Sequence, residues 1–217
     1  RPPVTIGHSS KDGPEPCKKQ NPFNPCFHKQ RAALLLDRGV LYVAFGGDGN
    51  RGALFAFDAE TLAQRAVWSS TPTGKDGGIW QSGQAPAADG DGNVFLATGN
   101  GTFDAGSGGR NYGNSVVKLR LEGQELVVKD WFTPCNVKFL NDLDLDLGSG
   151  GVVLLPGAPL RLLTGGKEGM LYLLSRSDMG GFAASPRAPD CRNPNAAQEV
   201  RAFGTKIHAG QTHWGNI

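Results

Sequence analysis

Three aspartates alternate with leucine at Asp142, Asp144 and Asp146. In an extended backbone, side chains two residues apart share a face, so this spacing predicts three carboxylates aimed together. Hard cations such as Ca²⁺ take their ligands from oxygen clusters of this kind, which makes the trio the candidate metal site. The competing expectation is a solvated segment whose leucines carry the packing. A second group mixes charge, amide and aromatic rings: Arg31, Trp80, Gln81, Arg110, Lys167, Glu168, His213 and Trp214. Fixed charges and amides orient hydroxyl groups while a flat ring stacks on an apolar face. The set therefore suits a small polar ligand, a carbohydrate or a peptide. The same residue types also suit turns that merely face water.

Other patterns carry less. Asp89-x-Asp91-x-Asn93 opens like a Ca²⁺ loop, but Asn100 stands where the bidentate glutamate is needed. A tight turn between strands accounts for Asp-Gly-Asp-Gly-Asn better. Gly47-x-Gly49-x-x-Gly52 matches a dinucleotide fingerprint in letters alone, because the motif needs a helix after its last glycine and Ala53–Asp58 reads as a strand. No Gly-x-Ser-x-Gly, His-Glu-x-x-His or P-loop pattern occurs. His208 and His213 lie close together, and His213 is the better site candidate because it precedes an expected inner strand. A hydrogen-bonded structural histidine is the competing expectation. Asn100-Gly101-Thr102 is a glycosylation acceptor only in a eukaryotic secretory host.

The elements that position these residues are strands. Glycine makes up 32 of 217 residues, beside 14 prolines; this is about twice ordinary glycine usage and leaves little room for long helices. Short apolar or alternating runs recur in groups of four, split by Gly/Asp/Asn turns. The first group is Arg31–Leu36, Val40–Phe45, Ala53–Asp58 and Gln64–Ser69. The second is Gly83–Ala88, Val94–Thr98, Ser115–Leu121 and Leu126–Phe132. The third is Gly151–Leu155, Leu160–Thr164, Leu171–Leu174 and Glu199–Phe203. Second strands align as Tyr42–Gly46, Phe95–Gly99 and Arg161–Gly165, and Trp68 and Trp131 each end a fourth strand. Four antiparallel strands repeated around an axis make a β-propeller. The expectation is an all-β, partial or open ring, with blades over 29–76, 77–140 and 141–211. Residues 1–28 would end a preceding blade and add a Cys/Pro-rich insertion, and 212–217 would start a following one. Closed propellers have about four to eight blades, so this chain reads as an internal segment whose apolar flanks need further blades or self-association.

The charge balance is 22 Lys+Arg against 20 Asp+Glu, a formal net +2. A dedicated nucleic-acid binder clusters far more positive charge, and no nucleic-acid partner is expected. The apolar runs are too short to span a membrane. The start at Arg1 reads as a mature product or as a piece of something longer. Four cysteines without Cys-x-x-Cys permit two disulfides in any of three connectivities. A Cys17–Cys26 link is favoured, because Pro14–Phe27 has no periodicity and gains from a local cross-link. Cys135 and Cys191 are left open, and an exported, oxidising compartment is expected.

Gly52–Trp68, with Ala56-Phe57-Asp58-x-x-Thr61 leading to Trp68, resembles the repeat of quinoprotein-type propellers, although Leu62 stands where that repeat prefers glycine. Gln30–Leu36, Gly77–Gly83, Thr98–Asp104, Asp142–Gly151 and Gly166–Gly169 look like exported bacterial PQQ-like β-propeller repeat proteins. The resemblance covers nearly the whole chain from Lys29 on. It implies a quinoprotein alcohol dehydrogenase-like fold, a docking tryptophan between blades, and a periplasmic or extracellular location. A longer, histidine-containing turn would be expected where only Gly46–Gly52 is present.

In a propeller the first strand of each blade lines the central channel, and lead-ins and inner turns converge on one face. The lead-ins are Lys29–Arg31, Trp80–Ser82, Asp142–Ser149 and His213–Trp214; the turns are Asp48–Arg51, Asn100–Asn114 and Lys167–Glu168. Ligand binding on that face is the leading expectation. The runner-up is part of a PQQ- and Ca²⁺-dependent alcohol or sugar dehydrogenase, and a hydrolase or lyase using channel carboxylates and His213 comes third. The dehydrogenase would need neighbouring cysteines, which this sequence lacks.

Overall fold

The computed structural model describes residues 23, 27–47, 49–185, 190–202, 204 and 206–213. The expected Cys17–Cys26 link, most of 1–28 with its expected blade end, Trp214 and most of 212–217 lie outside these residues.

Strands β1 (Leu35–Asp37), β2 (Val40–Gly47), β3 (Asn50–Asp58) and β4 (Gln64–Ser69) form one antiparallel meander in sequence order. A second follows with β5 (Ala87–Ala88), β6 (Asn93–Ala97), β7 (Val116–Glu122) and β8 (Glu125–Thr133). The third contains β9 (Val152–Leu155), β10 (Arg161–Gly165), β11 (Met170–Ser175) and β13 (Gln198–Arg201). The expected four-stranded antiparallel architecture is present, as an open ring. The inner strands β1 and β5 are shorter than the sequence runs suggested. One strand was not foreseen: β12 (Gly181–Phe182) pairs in parallel with the end of β8 and adds a fifth strand to the second sheet.

Strand periodicity decides which sheets meet. In β2 and β3, Tyr42, Ala44, Leu54 and Ala56 point one way, into a core shared with Val94, Leu96, Val117 and Leu119 of the second sheet. Their neighbours Val43, Phe45, Phe55 and Phe57 point the other way and are covered by Phe23. Every residue of β6 is buried, because its other face packs Phe95 and Ala97 against Leu162, Tyr172 and Leu174 of the third sheet. Each fully buried side chain of this size contributes about 2 kcal/mol, so the middle sheet holds the unit together. Trp68 lies in the first interface, with its ring 6.2 Å from that of Tyr112. The turn after β3 is fixed by Asp58, whose Oδ1 accepts the Thr61 N–H and hydroxyl and the Glu60 N–H. Those bonds, Thr61's first, lower the Asp58 pKa.

The segment joining the second and third sheets differs from expectation. It opens with a helix, α1 (Val137–Asp142), and closes with a 3₁₀ turn at Leu147–Ser149. Val137 and Leu140 are buried on one helical face, and Lys138 pairs with Asp142 one turn later at 2.6 Å. That i, i+3 and i, i+4 pattern is a helical signal that the Asp-Leu alternation hid. Beside the helix, Cys135 and Cys191 form a disulfide with Cα atoms 6.2 Å apart. It ties the chain after β8 to the insertion between β12 and β13. Among the described residues no helix is long and apolar enough to cross a membrane.

Candidate functional site

Each sheet delivers residues to one cavity of about 560 Å³. Arg31 arrives on the lead-in to the first sheet, Trp80 and Ser82 on the lead-in to the second, and Asp142, Asp144, Asp146 and Ser149 on the lead-in to the third. Lys167 comes from the turn between β10 and β11, and Asn100 from the turn after β6. This convergence follows from blade topology, since inner turns and lead-ins cross the same face.

The Trp80 indole lies against backbone that has no room for side chains. A Cβ on Gly46 would fall 2.6 Å from its ring, one on Gly78 2.7 Å, and one on Gly99 3.0 Å. Three glycines from separate segments thus make a bed for one ring. The Arg31 guanidinium sits 5.1 Å from the ring centroid, a cation–π distance.

Beside this platform, Lys167 Nζ lies 2.5 Å from Asp146 Oδ2 and 2.9 Å from Asp144 Oδ2. Asp146 is buried and accepts the Asn100 N–H on Oδ1 at 2.7 Å, while Asp144 is exposed. Burial works to lower the Lys167 pKa, but hydrogen bonds and charge from Asp146 and Asp144 outweigh it and hold it above the ordinary lysine value.

Three asparagines lock the loops behind these charges. The buried Asn114 donates to Asn100 Oδ1 at 2.8 Å and Asn141 Oδ1 at 2.9 Å, and accepts the Leu147 N–H at 2.8 Å. Asn141 exchanges a pair of hydrogen bonds with the backbone of Gly101, and Asn100 donates to Asp144 at 2.7 Å. The backbone is strained here. Asp76, Ser82 and Asp144 line the cavity with φ of 58°, 46° and 55°, and Asn114 has φ 48°. Such conformations cost of order 1–3 kcal/mol each and concentrate at functional sites.

The cavity therefore gathers Arg31, Trp80, Lys167 and all three aspartates 142, 144 and 146. The expected extended geometry of 142–146 is not found. Asp142 ends α1 and is paired to Lys138, Asp144 is left-handed, and Asp146 precedes the 3₁₀ turn. The carboxylates of 144 and 146 converge on an ammonium, and among the described residues no cluster of three acidic, His or Cys side chains is placed to hold a metal. Gln81 turns inward, fully buried, accepting the Ala97 N–H at 3.1 Å and donating to the Gln84 carbonyl at 3.1 Å. Glu168 points away from the cavity and accepts from Asn136 at 2.8 Å and from the Tyr172 hydroxyl at 3.0 Å. Burial, then Glu168, pushes the Tyr172 pKa well up. Arg110 and His213 are exposed outside the cavity lining, whereas His208 lines it. Asn100, Asn114 and Asn141 carry no individual sequence signal; only the tertiary contacts expose their role. Between β5 and β6, the Asp89 carboxylate is occupied by the N–H groups of Asp91 and Asn93 and by the Asn93 amide, as a turn requires.

No family model matches this chain, and no curated protein matches it. Solved structures do. The quinohemoprotein alcohol dehydrogenase from Comamonas testosteroni aligns with a TM-score of 0.53 and 20% identity, over 70% of this chain and 27% of that one. The quinohemoprotein alcohol dehydrogenase ADHIIG from Pseudomonas putida HK5 aligns with a TM-score of 0.52 and 17% identity, over 69% of this chain and 26% of that one. The chain thus spans about 27% of the length of such proteins. At these identities the likeness concerns architecture, and the three sheets have the fold of a quinoprotein alcohol dehydrogenase-type β-propeller, as an open partial ring.

Proposed function

We propose that this chain is a binding module that holds a small polar ligand, with carbohydrates as the leading class, in the cavity between its lead-ins. The observation that carries this reading is the convergence of an Arg31–Trp80 cation–π pair, the Asp144–Lys167–Asp146 triplet and an asparagine network on one cavity. Ligand sites hold a few fixed polar groups in a pre-formed cavity, and here the Trp80 ring orders the Arg31 guanidinium beside the charge triplet. A protein segment offering similar groups would meet the same chemistry. The Cys135–Cys191 disulfide supports an exported, periplasmic or extracellular setting, because such bonds persist in oxidising compartments. Leu34, Leu36, Leu160 and Val200 are exposed; we propose that further blades cover the apolar flanks.

The fold also raises a quinone cofactor with Ca²⁺, and the described residues fit that pair poorly. Arg31 lies over the ring that a flat cofactor would use. Lys167 already places a positive charge between Asp144 and Asp146, where a cation would have to sit. The described disulfide joins residues 56 apart, and neither cysteine lines the cavity.

The test is titration calorimetry of the protein against a panel of mono- and oligosaccharides, together with a non-denaturing mass spectrum of the protein as isolated. Saturable heat with at least one sugar, abolished in Trp80→Ala, is expected. Heat that survives Trp80→Ala, or a mass larger by one PQQ and one Ca²⁺, would overturn the reading.

A further inference from the structure

Arg31 and Lys167 are the two basic side chains lining the cavity apart from His208, and they are not equivalent. The Lys167 ammonium is held between Asp144 and Asp146. Arg31 is exposed, and among the described residues its guanidinium has the Trp80 ring as a neighbour but no hydrogen bond or ion pair. A cation–π contact spends no N–H on a hydrogen bond, so the donors of the guanidinium remain available to a ligand. A planar fork presented this way matches a carboxylate with two parallel hydrogen bonds. Because the ring already orders the side chain, less rotamer freedom is lost when a ligand binds.

The rest of the lining sets a limit on the ligand's charge. Four carboxylates line the same cavity, at Asp76, Asp142, Asp144 and Asp146; Asp142 is paired with Lys138, and Asp144 and Asp146 share Lys167. Several negative charges on a ligand would meet repulsion from these groups, so a polyanion is rejected. Hydroxyl groups would be welcome, because ionised carboxylates only accept hydrogen bonds and each hydroxyl has one to donate. A neutral sugar would satisfy that wall but leave the Arg31 fork unused.

We propose that the cavity selects a monoanionic sugar acid of the uronate or aldonate class, with Arg31 reading the single carboxylate and the aspartate wall reading the hydroxyls. This rests on the binding-module reading above and names the ligand class within it. Arg31 is a specificity-determining residue on this view, and Trp80 positions it.

The experiment is calorimetry with sodium D-glucuronate, D-gluconate and neutral D-glucose as probes, on the intact chain and on Arg31→Gln and Arg31→Lys. Arg31 is exposed, so both variants fold, and matching melting curves verify it. Complete removal of a charge-assisted, bidentate pair of hydrogen bonds weakens binding about tenfold or more. The expected result is that at least one sugar acid binds about tenfold more tightly than glucose to the intact protein. That preference disappears in Arg31→Gln and shrinks in Arg31→Lys, which keeps the charge but loses the fork. Equal affinity for the acids and glucose, or a preference untouched by Arg31→Gln, would overturn the sugar-acid inference while leaving the cavity a sugar site. Absence of binding by any probe, in the intact chain, would overturn this inference; the wider sugar panel with Trp80→Ala then decides the binding-module reading separately.

Discussion

Replacing Lys167 by methionine tests whether the charge triplet organises the cavity floor. The two carboxylates it serves are unlike. The Asp146 side chain retains 9% of its accessible surface and the Asp144 side chain 76%. Removing the ammonium strands a nearly buried carboxylate that keeps the Asn100 N–H as a hydrogen-bond donor. Breaking a buried pair by deleting one partner costs about 3 kcal/mol, mostly through the charge left behind. With a urea dependence of about 2 kcal/mol per molar, the unfolding midpoint falls by about 1.5 M. Asp144→Asn removes the exposed arm alone and costs less than about 1 kcal/mol. Replacing both buried partners, Lys167→Met with Asp146→Leu, recovers most of the loss, since no charge is then stranded. Urea unfolding followed by circular dichroism at neutral pH measures all three. The pH dependence adds a sign. Because the folded-state pKa of Lys167 is raised above 10.5, its contribution is complete below that value and is lost as pH climbs through the folded-state pKa. Lys167→Met therefore flattens the alkaline loss of stability. Equal costs for Lys167→Met and Asp144→Asn, or a Lys167→Met midpoint matching the parent, would refute the assignment of Asp146 as the buried, dependent partner.

Two further outcomes follow from the structure. The Cys135–Cys191 bond closes a separation of 56 residues; on the chain-entropy account, Cys135→Ser with Cys191→Ser costs about 4 kcal/mol, read as a lower melting temperature under oxidising conditions. Gly46→Ala places a methyl 2.6 Å from the Trp80 ring; overpacking of this kind costs about 1–3 kcal/mol and displaces the indole, so melting temperature and tryptophan emission both shift, and an unchanged emission spectrum would refute the glycine bed.

The blade architecture is legible in the residues because strand period and burial are local properties. Tyr42 and Ala44 against Val43 and Phe45 already separate two faces, and each face has an apolar core to fill. The same topology, which sends inner turns and lead-ins to one end, brings Arg31, Trp80 and Lys167 together, and all three line the cavity. The limits are equally physical. Asp142, Asp144 and Asp146 alternate as a strand would, yet the burial of Val137 and Leu140 favours a helix whose end carries Asp142. A two-residue period says nothing about that competition, because it is decided by what covers the segment. Gln81 and Glu168 have the chemistry of ligand contacts but spend it on the Ala97 amide, 16 residues away, and on the Tyr172 hydroxyl of the following strand. The asparagine network joins positions 100, 114 and 141, a relation with no period to detect. Side-chain type and spacing therefore settle which strands form and which end of the blades is polar. Packing alone settles which polar groups are consumed within the protein and which, like Arg31, are left facing the cavity.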